Sequence, residues 1–188
     1  MTSTGTVVGD ERLRLFLALR LQPSAVEALY AWAAAELHGG GRVVPPEHLH
    51  VTLAFLGSRP AGELPAIVDA LRECAASAGP IELEPVRWRE TRSVGMVVLD
   101  DHGGGATRMA TAVHERLESL GVYEREARPW LPHVTVLRFR ERPRLRPELP
   151  PLGRLAPSDA AAFLSRLHPS GARYEVLEST ALGGVTTG

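Results

Sequence analysis

The stretch HLHVTL at His48–Leu53 decides how this chain folds, because most of it returns as PHVTVL at Pro132–Leu137. Each copy is an apolar, β-branched run of the kind that forms strands, and each contains a His-x-Thr. Side chains two positions apart on a strand point to the same face. The His and the Thr of each copy therefore share one face, and the Val between them points to the other. The repetition predicts two equivalent strands, each with a polar face and an apolar face.

The residues around the two copies follow a similar order, with a strand and a helix before each His-x-Thr strand. The predicted strands cover residues 12–19, 49–55, 81–89, 94–99 and 133–138, with two more in AAFLSRL (161–167) and ARYEVLEST (172–180), and the predicted helices cover residues 25–37, 63–78 and 106–121. This order predicts an α+β fold with pseudo-two-fold symmetry and several antiparallel strands, in which the two His-x-Thr strands face each other across a central groove. We expect a disordered lead-in at residues 1–11, one domain at residues 12–180 and a tail at residues 181–188.

Composition excludes several kinds of chemistry. All 21 basic residues are Arg, so the chain has neither a Schiff-base lysine nor the lysine of a phosphate-binding loop. Cys74 is the one cysteine, which excludes a disulfide framework and a cysteine-rich zinc site. The net charge of −1 argues against a strong overall field for nucleic acid. Without a signal peptide or a long apolar run, we expect a cytoplasmic monomer that does not contact membranes.

The two His-x-Thr pairs together suit acid–base chemistry on a phosphodiester. Imidazoles titrate near pH 6.5, so one can accept a proton from an attacking oxygen while the other donates to a leaving oxygen. Thr hydroxyls can hydrogen-bond the non-bridging oxygens of a phosphate held between them. A zinc site fits less well, because it would need a third ligand of the His, Cys or carboxylate type. The candidate residues are His50, Thr52, His133 and Thr135, and neither a metal nor a cofactor is expected.

These motifs resemble those of a known family. LHVTLAFLG at 49–57 and PWLPHVTVLR at 129–138 are similar to the paired signatures of the two-histidine (2H) phosphoesterases. The flanking strands RLFLAL at 14–19 and ARYEVLEST at 172–180 resemble the bacterial and archaeal branch known as RNA 2′,3′-cyclic phosphodiesterase or 2′-5′ RNA ligase. The resemblance covers nearly the whole chain, about residues 12–180. It implies a bilobed α+β fold, with antiparallel sheets around a central cleft and helices on the outside.

The resemblance implies metal-independent opening of 2′,3′-cyclic phosphates at RNA or nucleotide ends, which leaves a 2′-phosphate. It implies that His133 activates water as the base and that His50 protonates the departing 3′-oxygen. Thr52 and Thr135 would hold the phosphate, and Arg138 would contact phosphate or nucleotide. Reverse 2′-5′ ligation of RNA is a further activity that the resemblance suggests.

The sequence does not decide the role of several further residues. Arg recurs at every second position from Arg138 through Arg140 to Arg146, which in extended chain would follow an RNA backbone, although a solvated loop broken by Pro is equally consistent. His48 shares the face of His50, which leaves a helper role open, but at the edge of the strand after the extended Pro45-Pro46 it is expected at the surface. Four further histidines have no partner pattern and are also expected at the surface: His38, His102, His114 and His168. Trp88, Trp130 and Tyr123 are candidates for base stacking or for core packing.

Two other functions fit the same residues. The first is a module that binds RNA or nucleotide ends without turnover; the presence of both His and both Thr argues against it. The second is a related phosphoesterase for a small cyclic nucleotide, which needs no extended RNA contact. The sequence does not distinguish the physiological substrate or the base preference.

Overall fold

The computed structural model describes residues 11–183, and within this range the chain forms one sheet of eight strands and three α-helices. The strands are β1 (Arg12–Leu21), β2 (Arg42–Val43), β3 (His50–Pro60), β4 (Glu82–Glu90), β5 (Val94–His102), β6 (His133–Arg138), β7 (Pro157–Arg166) and β8 (Arg173–Thr180). The helices are α1 (Pro23–Glu36), α2 (Leu64–Ala76) and α3 (Gly105–Ser119). Residues 1–10 and 184–188 lie outside the description, and with them most of the predicted lead-in and the end of the predicted tail.

The two His-x-Thr strands are neighbours at the centre of the sheet. The strand order is β4-β5-β6-β3-β1-β7-β8, and every pairing is antiparallel. From the middle outward, β6, β5 and β4 on one side match β3, β1 and β7 on the other, which is the predicted pseudo-two-fold arrangement. The expected α+β fold is confirmed, with the two halves joined in a single sheet.

The junction between the halves is narrow. β3 and β6 share one residue pair, Val51 with Val134. Further along β6, its edge is occupied by β2 instead, and the Val44 N–H donates to the Val136 carbonyl oxygen at 2.9 Å. Because β2 takes this edge, β3 and β6 separate beyond their common pair. The separation leaves a cleft on one face of the sheet.

The two faces of the sheet have different packing. Val51 and Val134 are fully buried in the main core, to which all three helices contribute. The cleft face has only a small apolar cluster, formed by Phe16, Ala18, Ala161 and Phe163. The apolar side of each His-x-Thr strand therefore fixes the strand to the core, and its polar side is left for the cleft. Within residues 11–183, no helix has the length and apolarity that crossing a membrane requires.

Strand β3 is longer and more irregular than predicted. The predicted strand covers residues 49–55, with Gly57 expected to end it, but the strand continues to Pro60. Gly57 has a φ of +67°, which glycine adopts without strain, and the pairing with β1 shifts register next to it. A second shift skips Leu53, whose carbonyl oxygen accepts a hydrogen bond from His114 Nε2 at 2.7 Å. Each shift is a β-bulge, and each changes which side chains face the cleft.

Candidate active site

The cleft brings together the four side chains that the sequence singles out. His50, Thr52, His133 and Thr135 all line it, and its volume is about 490 Å³. In an antiparallel pair centred on Val51 and Val134, the position opposite His50 is Thr135, and the position opposite Thr52 is His133. One His and one Thr thus flank the Val51–Val134 pair on each strand. The site contains two imidazoles and two hydroxyls arranged about the pseudo-two-fold axis.

His133 is held in one tautomer. Its Nδ1 lies 2.7 Å from the carbonyl oxygen of Leu131, and a carbonyl oxygen can only accept a hydrogen bond. Nδ1 therefore carries the proton, and in the neutral ring Nε2 has the free lone pair. This is the form that a general base requires.

His50 is held differently. Its Nε2 forms a hydrogen bond with Thr52 Oγ1 at 3.1 Å, and its ring stacks on Phe16 with 5.0 Å between centroids. Burial lowers the pKa of His50 to about 4; His48 and the more distant His133 and Arg138 also lower it, and the His48 carbonyl acts in the opposite direction. No hydrogen bond of normal geometry reaches its buried Nδ1. The ring is therefore neutral in the unliganded protein at neutral pH, and its protonated form is a strong proton donor.

His48 belongs to the cleft, against the expectation of a surface position. Pro46–His48 is a 3₁₀ turn rather than extended chain, and it directs the half-buried His48 ring to within 4.1 Å of the Tyr174 ring centroid. Burial lowers the pKa of His48 against a small opposing effect of Glu47. No sequence signal indicates this contact, because Tyr174 lies on the last strand of the sheet, far along the chain.

Three arginines lie at one end of the cleft or in the groove beside it. Arg138 lines the cleft, and so does Arg42, which no sequence motif indicates. Arg140 lies outside the cleft, in an adjacent groove of about 570 Å³ that Arg42 and Arg138 also line. Within residues 11–183, none of the three forms an ion pair. Their charge is therefore available to an anionic ligand.

The possible row of arginines from Arg138 to Arg146 does not form. β6 ends at Arg138, and Arg142 instead pairs with Glu90 at 3.0 Å. The Glu90 carboxylate, whose side chain is only 1% exposed, also accepts the backbone N–H groups of Arg144 and Leu145 at 3.0 and 2.7 Å. Burial alone would raise the pKa of Glu90, but these donors outweigh it and lower the pKa. Glu90 thus anchors the loop that follows β6.

Several of the remaining aromatic and histidine candidates contribute to packing or hydrogen bonding within the fold. Trp130 donates from Nε1 to the backbone carbonyl oxygen of Thr52 at 3.0 Å, which ties the approach to β6 to strand β3. Trp88 covers Gly95, outside the cleft lining. His114 is buried, which corrects its expected surface position, and Tyr123 packs against its ring.

Cys74 is buried on α2, and burial raises the pKa of its thiol. Among residues 11–183, no group of three or more His, Cys, Asp or Glu side chains is arranged to hold a metal ion. The polar side chains of the cleft are three imidazoles, two Thr hydroxyls, the hydroxyls of Ser165 and Tyr174, and the guanidinium groups of Arg14, Arg42 and Arg138. This set can move protons and bind a phosphate.

Comparison with known proteins gives consistent matches. Residues 19–89 match the family model described as LigT like Phosphoesterase. An RNA 2′,3′-cyclic phosphodiesterase of Thermus thermophilus is 32% identical over 92% of this chain and 91% of its own length. A protein of the same name from Archaeoglobus fulgidus is 32% identical over 69% of this chain and 74% of its own. The crystal structure of TT0787 from Thermus thermophilus superimposes with a TM-score of 0.77 at 30% identity, covering 92% of this chain and 100% of that one.

Proposed function

Because the chain belongs to the family of LigT-like phosphoesterases, we propose that it hydrolyses 2′,3′-cyclic phosphates at RNA or nucleotide ends to 2′-phosphomonoesters. The observation that carries the proposal is that the two His-Thr pairs, which flank Val51 and Val134 on neighbouring strands, line one cleft. The names of the two relatives supply the substrate class, and the side chains of this chain supply groups suited to it.

In the proposed reaction, His133 is the general base. Its Nε2 lone pair takes a proton from water as the water oxygen attacks the phosphorus of the cyclic phosphate. The hydrogen bond from Nδ1 to the Leu131 carbonyl supports this role, because it holds the required tautomer and stabilises the imidazolium that forms. A positioned base of this kind typically contributes about 10²–10⁴-fold.

His50 is the general acid that protonates the departing 3′-oxygen. The bond between phosphorus and that oxygen breaks, and the 2′-oxygen keeps the phosphate. A low pKa makes the protonated His50 a strong donor, but it also makes this form scarce at neutral pH. A phosphate anion bound beside the ring raises the pKa, since an opposite charge favours the protonated form. We therefore expect substrate binding and protonation of His50 to be coupled.

Thr52 and Thr135 donate hydrogen bonds to the non-bridging phosphate oxygens, and Arg138 balances their charge. Two hydroxyls and two imidazoles suffice for this chemistry, so the proposed reaction uses no metal ion. If the 5′-hydroxyl of a second RNA took the place of water, the same steps would form a 2′-5′ linkage. Ligation therefore remains a secondary part of the proposal.

The test is hydrolysis of 2′,3′-cyclic AMP with a chelator present, followed by identification of the product. The expected product is adenosine 2′-phosphate, formed at the same rate with and without the chelator. A 3′-phosphate product, or loss of activity on chelation, would contradict the mechanism. Binding of adenosine 2′-phosphate without any turnover would indicate the non-catalytic module instead.

Arg140 and its groove support an RNA substrate over a small cyclic nucleotide. Arg42 and Arg138 line both the groove and the cleft, so a phosphate 5′ to the reacting nucleotide can reach the guanidinium groups of Arg42, Arg138 and Arg140. Phosphate contacts of this kind make binding depend on salt. Arg140→Ala is expected to raise the KM for a short RNA with a cyclic phosphate end and to leave the KM for 2′,3′-cyclic AMP unchanged.

Arg166→Ala is the control, because Arg166 is exposed on β7 and pairs with Glu175. If Arg140→Ala affected neither substrate, the groove would play no part in binding RNA. That result would favour a small cyclic nucleotide as the substrate.

A further inference from the structure

One aromatic ring on the cleft face is left open to solvent. Phe55 lines the cleft and is 49% exposed, whereas Phe16 and Phe163 on the same face are 3% and 5% exposed. An exposed Phe in the interior of a strand contributes little to packing. The ring therefore has a free apolar surface beside the candidate active site.

The bulge at Leu53 is what directs Phe55 into the cleft. In a regular strand, the side chain three positions after Thr52 would point to the opposite face. Because Leu53 is skipped in the pairing with β1, Thr52 lies opposite Ala18 and Phe55 lies opposite Phe16. Ala18 and Phe16 both belong to the cleft-face cluster. Thr52 and Phe55 consequently share a face, about 7–10 Å apart along the strand.

An arginine side chain lies against the Phe55 ring. The Arg14 guanidinium carbon lies 4.8 Å from the centre of the Phe55 ring, and Arg14 also lines the cleft. Within residues 11–183 Arg14 has no ion pair with a carboxylate. An aromatic ring with a guanidinium group against it presents two planar surfaces of the kind on which nucleobases stack.

The register places Phe55 and Arg14 at the opposite end of the cleft from Arg42 and Arg138. With Val51 opposite Val134, positions after Thr52 on β3 run away from Arg138 on β6. The cleft thus has an aromatic end at Phe55, a phosphate site in the middle and a cationic end at Arg138. A nucleotide has the same division between an apolar planar base and a charged backbone.

We propose that Phe55, with Arg14 against it, is the platform on which the base of the terminal nucleotide stacks while its cyclic phosphate lies between the two His-Thr pairs. This inference rests on the proposed function and adds the site for the base. Stacking on an aromatic face tolerates any base, so the platform favours nucleotides over sugar phosphates without selecting one base strongly.

The experiment compares 2′,3′-cyclic AMP with ribose 2,3-cyclic phosphate, which has no base. Phe55→Ala is expected to lower kcat/KM for the nucleotide by roughly 5- to 150-fold, mostly through KM, and to leave kcat/KM for the base-less substrate unchanged. Phe55→Leu keeps an apolar side chain but lacks the aromatic face, so we expect a similar loss, and Phe55→Trp is expected to retain the wild-type preference.

Val86→Ala is the matched control, because Val86 is 48% exposed and lies outside the cleft lining. Urea unfolding midpoints show whether each variant is folded. An equal loss on both substrates, or full activity of Phe55→Ala on the nucleotide, would overturn the platform. If wild-type protein hydrolysed neither substrate, the proposed function would fail. The platform would then be tested by the affinities of wild-type protein and the same variants for adenosine 2′-phosphate and for ribose 2-phosphate.

Discussion

His50 and His133 occupy equivalent positions on two strands, but their ring nitrogens have different surroundings. His133 Nδ1 has a backbone acceptor, whereas His50 is packed against Phe16 and its Nδ1 lacks a hydrogen bond of normal geometry. Equivalent backbones therefore hold two imidazoles in different surroundings, which suits the proposed division into an acid and a base.

Burial of neutral His50 predicts a specific dependence of stability on pH. The unfolded chain protonates this residue near pH 6.5, but the folded protein does so only near pH 4. As the pH falls from about 6.5 to 4, the unfolded state gains a proton that the folded state lacks. The free energy of unfolding therefore decreases by about 1.4 kcal/mol per pH unit on account of His50.

His50→Gln removes this titration and keeps a polar side chain. We expect urea unfolding of wild-type protein to lose about 3 kcal/mol more than the variant between pH 6.5 and 4. Other titrating groups are common to both proteins and cancel in the comparison. Parallel pH dependences of the two proteins would show that His50 is not held neutral.

At the scale of the elements, strand β3 combines regular pairing with two bulges. His50 and Thr52 belong to its regular part, and the bulge at Leu53 then brings Phe55 to the same face. His114 on α3 satisfies the Leu53 carbonyl that the bulge displaces. The helix packed behind the sheet thus stabilises the side-chain arrangement in front of it.

His114→Phe keeps a ring against Tyr123 but removes the donor to Leu53. A buried carbonyl oxygen without a partner costs about 1–3 kcal/mol, so the free energy of unfolding is expected to fall by about that amount. His38→Phe is the control, since His38 is exposed beyond the end of α1. The role assigned to His114 would be wrong if both variants lost the same stability.

The elements themselves follow closely from the sequence, and their departures have physical causes. β6 has the predicted bounds, and the three helices lie within three residues of theirs. The bulge at Leu53 could not be predicted, because alternation along a strand gives no sign of a skipped residue. The pairing of Arg142 with Glu90 joins positions 52 residues apart, and a local pattern contains no such information.

At the scale of the whole molecule, the two similar halves of the sheet pair directly at one residue pair and enclose the site. The side chains expected to act, His50, Thr52, His133 and Thr135, come from both halves. Their spacing therefore depends on how the halves are joined. Besides the Val51–Val134 pair, the hydrogen bond from Trp130 to the Thr52 carbonyl connects the halves directly beside the site.

Trp130→Phe removes this hydrogen bond and keeps an aromatic ring in place. We expect kcat for 2′,3′-cyclic AMP to fall by roughly tenfold, because small displacements of catalytic groups cost rate steeply, and stability to change by only about 1 kcal/mol. Trp32→Phe is the control, since Trp32 donates a similar hydrogen bond to the Glu148 carbonyl outside the cleft. An equal effect of both variants on kcat would contradict the role of Trp130.

The most direct test of the central claim is the kcat of His50→Ala, His133→Ala and the double variant on 2′,3′-cyclic AMP. If the two imidazoles act together on one phosphate, each single variant loses at least about 10²-fold in kcat, and the double variant loses much less than the product of the two. Wild-type kcat in either folded single variant would contradict the account.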